Sequence, residues 1–285
     1  MERLSNLRMS TRLLVLFFLM GLGLVAATVV CNLTSGQGIM TWLTVQDLLA
    51  FIVPALVAMA LCYRRPLHVM RLDRAPGWKA ISLVVAFYII SLPAMNWLIE
   101  INQAMSLPSW LSGTEEVMRS LEDSAADATK QLFQVNSVWD VLVCILVVGL
   151  LAGLSEEMLY RGAMLRIMQD SRLGTHAVVW IVAIIFSAIH MQFYGFLPRM
   201  LLGAWFGYLM VWTRSLWVPI IAHDLNNTSY VILSLLAEKG VVPEGYGDRI
   251  GLPAEGAFPW LPLLSLVCSI AIVIWAHRQF KKNEE

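Results

Sequence analysis

The chain alternates long apolar runs with short polar connections, and within the runs apolar and polar residues do not alternate. Eight runs stand out, at about 13–31, 43–63, 79–98, 138–160, 176–192, 197–213, 215–237 and 257–276. A helix rising 1.5 Å per residue crosses a hydrocarbon layer of about 30 Å in roughly 20 residues, which the longer runs supply. Inside lipid every backbone N–H and C=O must bond within the protein, which leaves helices or a closed barrel. Unalternating runs of this length exclude the barrel. The pattern predicts an all-α fold, a polytopic membrane helix bundle of about eight transmembrane helices, forming a single integral membrane domain over residues 1–285.

The connections then orient the bundle. Arg3, Arg8 and Arg12 precede the first run, and Arg64, Arg65, Arg71, Arg74 and Lys79 fill the second connection. Arg166 and Arg172 lie between the fourth and fifth runs, and Arg278, Lys281 and Lys282 follow the last. With eight spans these four basic regions share one side, which the positive-inside rule makes cytoplasmic, with both termini. Arg199, Lys239 and Arg249 fall on the other side and run against the rule. That side also carries the uncharged 32–42 loop, the acidic 99–137 loop and the 238–256 loop. Within the acidic loop, Thr114 to Phe133 has apolar residues at helical spacing and Glu115 and Glu116 near its start, which predicts an external or interfacial amphipathic helix.

Composition adds to this picture without changing it. Apolar residues make up 58% and charged residues 14%, where a soluble domain carries about a quarter charged. The net charge of zero gives no reason to expect a nucleic-acid partner; the lipid bilayer is the expected one. Cys31, Cys62, Cys144 and Cys268 are far apart and lack metal-type spacing, so they read as small core hydrophobes. The first run is too long for a signal-peptide core and no A-x-A site follows it, so it is expected to remain as a helix.

Charged groups at bilayer depth cost several kcal/mol, so each needs a partner or a purpose. One cluster is Ser155-Glu156-Glu157-Met158-Leu159-Tyr160-Arg161, closing an apolar run. Glu157 and Arg161 are four residues apart and can pair on one helix face. Glu156 lies about 100° round the helix and is left to face the bundle interior. The same residues could instead end a helix at the membrane interface. A second cluster ends at His190 and a third places His223 and Asn227 one turn apart. Taken singly, each histidine is most simply an interhelical hydrogen-bonding residue. Together, a carboxylate and two imidazoles are the equipment for activating water, by acid–base chemistry or through a metal.

The patterns E-E-x-x-x-R at Glu156–Arg161, F-x-x-x-H at Phe186–His190 and H-x-x-x-N at His223–Asn227 resemble the three motifs of the CPBP family, in the family's order. That family contains type II CAAX prenyl endopeptidases and bacterial proteins linked to bacteriocin immunity and maturation. The resemblance covers about residues 137–237, the expected catalytic core. It implies that Glu156 activates water with help from His190, that His223 and Asn227 stabilise the oxyanion, and that Glu157 and Arg161 support them, Arg161 holding its helix or meeting a substrate carboxylate. It leaves the cofactor open: a divalent metal such as zinc on Glu156, His190 and His223, or none.

The implied activity is an intramembrane endopeptidase in a bacterial plasma membrane, cleaving a protein or peptide substrate near the cytoplasmic face. Two rivals use the same residues: a non-proteolytic scaffold or bacteriocin-immunity factor that binds a partner, and a proton-coupled transporter. Straight, level helices would set His190 and His223 at different depths, so any convergence has to come from the tertiary structure.

Overall fold

The computed structural model describes residues 7–34 and 38–281. Arg3 and Lys282 of the basic clusters, and residues 35–37 of the 32–42 loop, lie outside the described residues. Among the described residues there is no strand. The long helices are α1 (Met9–Leu33), α2 (Ile39–Cys62), α3 (Trp78–Gln103), α4 (Ser112–Leu132), α5 (Val138–Gln169), α6 (Thr175–Ile189), α7 (Phe196–Thr213), α8 (Trp217–Glu238) and α9 (Trp260–Lys281).

Five of these, α1, α2, α3, α5 and α9, are long and apolar enough to cross a membrane. The other three predicted spans are helices as well but fall short of that standard. α6 has 15 residues where the apolar run predicted a longer element. α7 carries Arg199 in its first turn, and α8 carries His223, Asp224, Asn226 and Asn227. The departures have two causes: α6 is apolar but short, and α7 and α8 carry polar groups that interrupt an apolar cylinder.

Local chemistry sets the helix ends. Before α5, the Ser137 hydroxyl accepts from the Asp140 amide (3.2 Å) and the Asp140 carboxylate accepts from the Ser137 amide (2.8 Å), a reciprocal cap. α6 stops at His190, and Met191 follows in the left-handed region (φ 56°), a costly conformation for a side chain of that bulk. Phe193–Gly195 then makes a single 3₁₀ turn into α7. Three wide π-helical turns, Asp47–Ile52 in α2 and Ile145–Leu151 and Met158–Met164 in α5, interrupt otherwise regular helix. Such turns often accompany functional residues, and the last of them begins directly after Glu157.

Packing pairs α1 with α2, α3 with α9, α5 with α8, and α6 with α7 as an antiparallel hairpin. The main core gathers Met158–Met168 of α5 with Val179, Val182, Ala183 and Phe186 of α6 and Ala55, Ala58 and Met59 of α2. Small residues permit the closest contacts. A side chain at Gly207 would meet Val179 at 2.9 Å, and one at Gly153 would meet the Asp224 carboxylate at 2.2 Å. Leu14, Phe18 and Val25 of α1 and Val267 of α9 face outward, as lipid-facing residues do, and Trp78, Trp139 and Trp260 stand exposed at helix starts.

The basic connections meet at one end of the bundle. Arg12 bonds Asp170 (2.6 Å), Arg166 bonds the Val69 carbonyl (2.9 Å), and Ser215 bonds the Arg74 carbonyl (2.6 Å). His277 of α9 lies 6.4 Å from His176 of α6, ring to ring, at the same end.

The opposite end carries α4, which buries none of its own residues. Glu115 anchors it, accepting from the Leu107 amide (3.0 Å), from Arg119 (2.6 Å) and from the Tyr194 hydroxyl (3.3 Å). The Arg119 guanidinium sits 4.5 Å over the Tyr194 ring.

Two outcomes are expected. Gly153→Leu should destabilise the protein by about 1–3 kcal/mol through overpacking between α5 and α8. Gly21→Leu, with open space around it, should leave the melting temperature in detergent unchanged. Equal melting temperatures for the two would show that the α5–α8 approach is not needed.

The second outcome concerns acid. The Arg119 guanidinium first, and the Leu107 amide next, hold the Glu115 carboxyl below its usual range. A depressed folded value stabilises the docked state above the unfolded value of about 4.3 and loses that effect as pH falls through the folded value. Hydrogen-exchange protection of the Leu107 amide should therefore persist at neutral pH and collapse under acid.

Candidate active site

The site is built outward from Glu157. Its carboxylate is fully buried and accepts from Arg161 Nη1 at 2.5 Å on its own helix. The same oxygen is 2.9 Å from His223 Nδ1 on α8. Arg161 is also fully buried, and its Nη2 donates to the Gly203 carbonyl of α7 at 2.8 Å. A side chain at Gly203 would come within 3.3 Å of that guanidinium and 3.0 Å of Phe186, so glycine lets the carbonyl meet it without crowding either. One carboxylate thus ties α5 to α8, and its cation ties α5 to α7.

Aromatic rings close the node. The Arg161 guanidinium lies 4.7 Å from the Phe186 ring and 5.4 Å from the Phe206 ring. His223 stacks on Phe206 at 4.9 Å with 24° between planes. Phe186 meets His223 at 5.9 Å and His190 at 5.2 Å, both edge-on. The two histidines therefore flank a single ring.

Glu156, one residue before the node, is partly exposed, and its Oε2 lies 3.7 Å from His223 Nε2. His190 Nδ1 is 2.8 Å from the Phe186 carbonyl, which can only accept; Nδ1 is the donor and Nε2 is left with a lone pair. Glu156 and His223 are both within electrostatic reach of His190. Asn227 stands one turn beyond His223, its amide oxygen taking a long hydrogen bond from Asn226 (3.4 Å).

The depth mismatch expected of level helices disappears because α8 does not start at the end of the bundle. The 66–72 connection tucks inward: Met70 is fully buried, the Leu216 amide bonds the Arg71 carbonyl (3.2 Å), and the Trp217 indole bonds the Leu72 carbonyl (2.9 Å). A side chain at Gly162 would meet Leu216 at 3.1 Å, which sets the start of α8 level with Gly162. Gly162 is seven residues from the end of α5, or about 10 Å, and His223 is seven residues past Leu216, about 10 Å more. Twelve residues of α5, about 18 Å, separate Glu157 from the same end. The imidazole and the carboxylate arrive at one level. His190, after 15 residues of α6, stands about 22 Å along.

These depths also bear on the expectation of chemistry near the cytoplasmic face. The candidate residues stand deep in the bundle, away from the basic end, and His190 sits in the hairpin turn whose Tyr194 holds α4.

A metal fits the site poorly. Among the described residues, no group of three or more His, Cys, Asp or Glu side chains is arranged to hold a metal ion. His223 Nδ1 is held by Glu157 and His190 Nδ1 by a carbonyl, which leaves Nε2 as the one ring nitrogen each could offer to a ligand.

One polar group beside the site escaped the sequence reading, and another that the sequence offered as a partner for a histidine does not take that role. Asp47, buried in α2, accepts from Ser155 Oγ at 2.9 Å and backs the Glu156–Glu157 turn from behind. Its signal was available, as the one acid inside the second apolar run. Asp224 has a buried oxygen without a partner, packed against Gly153, and does not bond the adjacent histidine. Phe206 carries no polar signature and could not be found from spacing, whereas the G-x-x-x-G spacing of Gly203 and Gly207 points to a close helix contact, and both lie against α6.

Residues 138–229 match a family model described as Type II CAAX prenyl endopeptidase Rce1-like. That stretch contains every residue of the site and roughly a third of the chain. No curated protein and no solved structure matches the chain.

The central pair gives a direct test. Arg161→Leu leaves Glu157 buried without its cation and is expected to cost about 3–5 kcal/mol, measured by unfolding in detergent. The double change Arg161→Leu with Glu157→Leu should cost less than the two single changes added together. Additive costs would show that the pair is not coupled.

Proposed function

We propose, because the chain belongs through residues 138–229 to the CPBP family of intramembrane proteases, that it is an endopeptidase hydrolysing a peptide bond of a protein or peptide substrate inside the bundle. The supporting observation is the shared Glu157 carboxylate, which holds His223 so that its free ring nitrogen points at Glu156 from a neighbouring helix.

In this reading Glu156 is the general base. It takes a proton from a water molecule, and the resulting hydroxide adds to the scissile carbonyl carbon. His190, its Nδ1–H held by the Phe186 carbonyl, offers Nε2 as a second proton acceptor beside the same water. The carbonyl oxygen becomes an oxyanion, and the donors for it are His223 Nε2–H and the Asn227 amide. His223 donates to Glu157 from Nδ1 and to the oxyanion from Nε2 when both ring nitrogens carry protons. Before the reaction Glu156, Glu157, Arg161 and His223 then carry two negative and two positive charges, and once Glu156 is protonated the oxyanion takes its place as the second negative charge, a balance that a low-dielectric site favours. The C–N bond breaks as the proton held by Glu156 passes to the departing amine. Glu157 and Arg161 position His223 and do not touch substrate.

The test compares protein termini in membranes carrying wild-type or Glu156→Gln protein. Cleavage products present with wild type and lost with Glu156→Gln and with His190→Ala are expected, a fall of about 10²-fold or more. Retention of the cellular phenotype by both folded variants would exclude hydrolysis at this site and favour partner binding.

A further inference from the structure

The sequence offered Arg161 as a guanidinium that could meet a substrate carboxylate, and its surroundings rule that out. Arg161 has no exposed surface, and Glu157 and the Gly203 carbonyl take up its terminal nitrogens. A second guanidinium stands at the site with a different set of contacts.

Arg199 lies in the first turn of α7, on the hairpin that begins with His190. Its Nη2 donates to Gln192 Oε1 at 2.7 Å, while its Nη1 is buried and has no hydrogen-bond partner. Glu156, Glu122 of α4 and His190 are all within electrostatic reach of it. The turn that carries it is fixed from α3: Asn102 donates to the Phe193 carbonyl (3.2 Å) and accepts from the Leu197 amide (3.0 Å). A side chain at Gly195 would lie 3.0 Å from Arg199 Nη2, so the turn wraps the guanidinium closely. Across from it, Glu122 Oε2 is also buried without a partner. A cation and an anion within electrostatic reach of each other thus each hold a buried polar atom without a hydrogen-bond partner.

Leaving such atoms unmatched costs free energy, and an arriving group that satisfies Nη1 recovers it. The guanidinium fork suits a carboxylate in geometry and charge. The oxyanion of the proposed reaction already has donors in His223 and Asn227, so Arg199 is left for a different anionic group of the substrate. An extended peptide advances about 3.3–3.6 Å per residue, so a carboxylate a few residues from the scissile bond lies well clear of the reacting carbonyl.

We propose that Arg199 binds a carboxylate of the peptide substrate beside the general base, with Glu122 as the anion that faces Arg199 when no substrate is bound. The proposal rests on the protease reading of the site. Arg199 is on this view a specificity-determining residue, and its place among polar groups explains why it departs from the positive-inside pattern.

The experiment measures retention of a random hexapeptide library on the purified full-length protein in detergent, once with free C-terminal carboxylates and once with C-terminal amides. A second pair of amidated libraries compares Asp and Glu with Asn and Gln, which separates a terminal from a side-chain carboxylate. Wild type should retain the carboxylate peptides about tenfold or more over their neutral counterparts in at least one pair. Arg199→Gln should lose that preference with an unchanged melting temperature, Arg199→Lys should keep part of it, and Glu122→Gln should strengthen it. Equal retention of acids and neutral peptides by wild type, or an undiminished preference in Arg199→Gln, overturns the proposal. Cleavage of retained peptides is scored separately. Binding preference without any Glu156-dependent cleavage would remove the protease reading and leave the carboxylate site standing.

Discussion

A buried carboxylate with two cationic or hydrogen-bonding partners on different helices organises this bundle. Glu157 would be prohibitively costly in a membrane interior on its own. Arg161 offsets that cost from one turn away, and His223 completes the arrangement from α8. Because Arg161 also reaches the Gly203 carbonyl, three helices are held in register by one ionic node. Phe186 and Phe206 exclude water from it and lay their faces against the guanidinium, where cation–π attraction adds to the pairing. Moving any of these helices would expose an unpaired charge to low dielectric, so the node fixes positions that apolar packing alone leaves free to slide.

That rigidity serves the residues next to it. Glu156 follows the same helix but points elsewhere, and the fixed imidazole of His223 meets it at 3.7 Å. The π-helical turn after Glu157 and the buried Ser155–Asp47 bond hold the backbone from either side. The close approach of α5 and α8 at Gly153 sets the distance between the two helices that carry Glu156 and His223. The division of labour between the paired glutamates is physical: one is buried in the node, the other keeps a partly exposed carboxylate.

The short α6 gives the site its second half. Fifteen residues fall short of a bilayer's width, and the chain turns back with His190, Gln192 and Arg199 around a partly exposed hairpin. Asn102 and α4 cap this turn, through Asn102 bonds to Phe193 and Leu197 and through Glu115 to Tyr194. The amphipathic helix outside the apolar runs is thus tied mechanically to the turn that carries His190.

The sequence by itself determined the fold class, because uninterrupted apolar runs admit no solution in lipid except helices. It also located the polar residues of the site, since charged and imidazole groups are rare inside such runs and stand out. Spacing of four residues was enough to pair Glu157 with Arg161. Only the tertiary structure decided that His223 joins that pair, because its level depends on Leu216 docking at Gly162 and on the inward tuck of residues 66–72, neither of which leaves a local signal. It likewise decided which arginine has both terminal nitrogens bonded and which has one left over. Both are single arginines in apolar surroundings, and the difference between them lies wholly in what the neighbouring helices bring within reach.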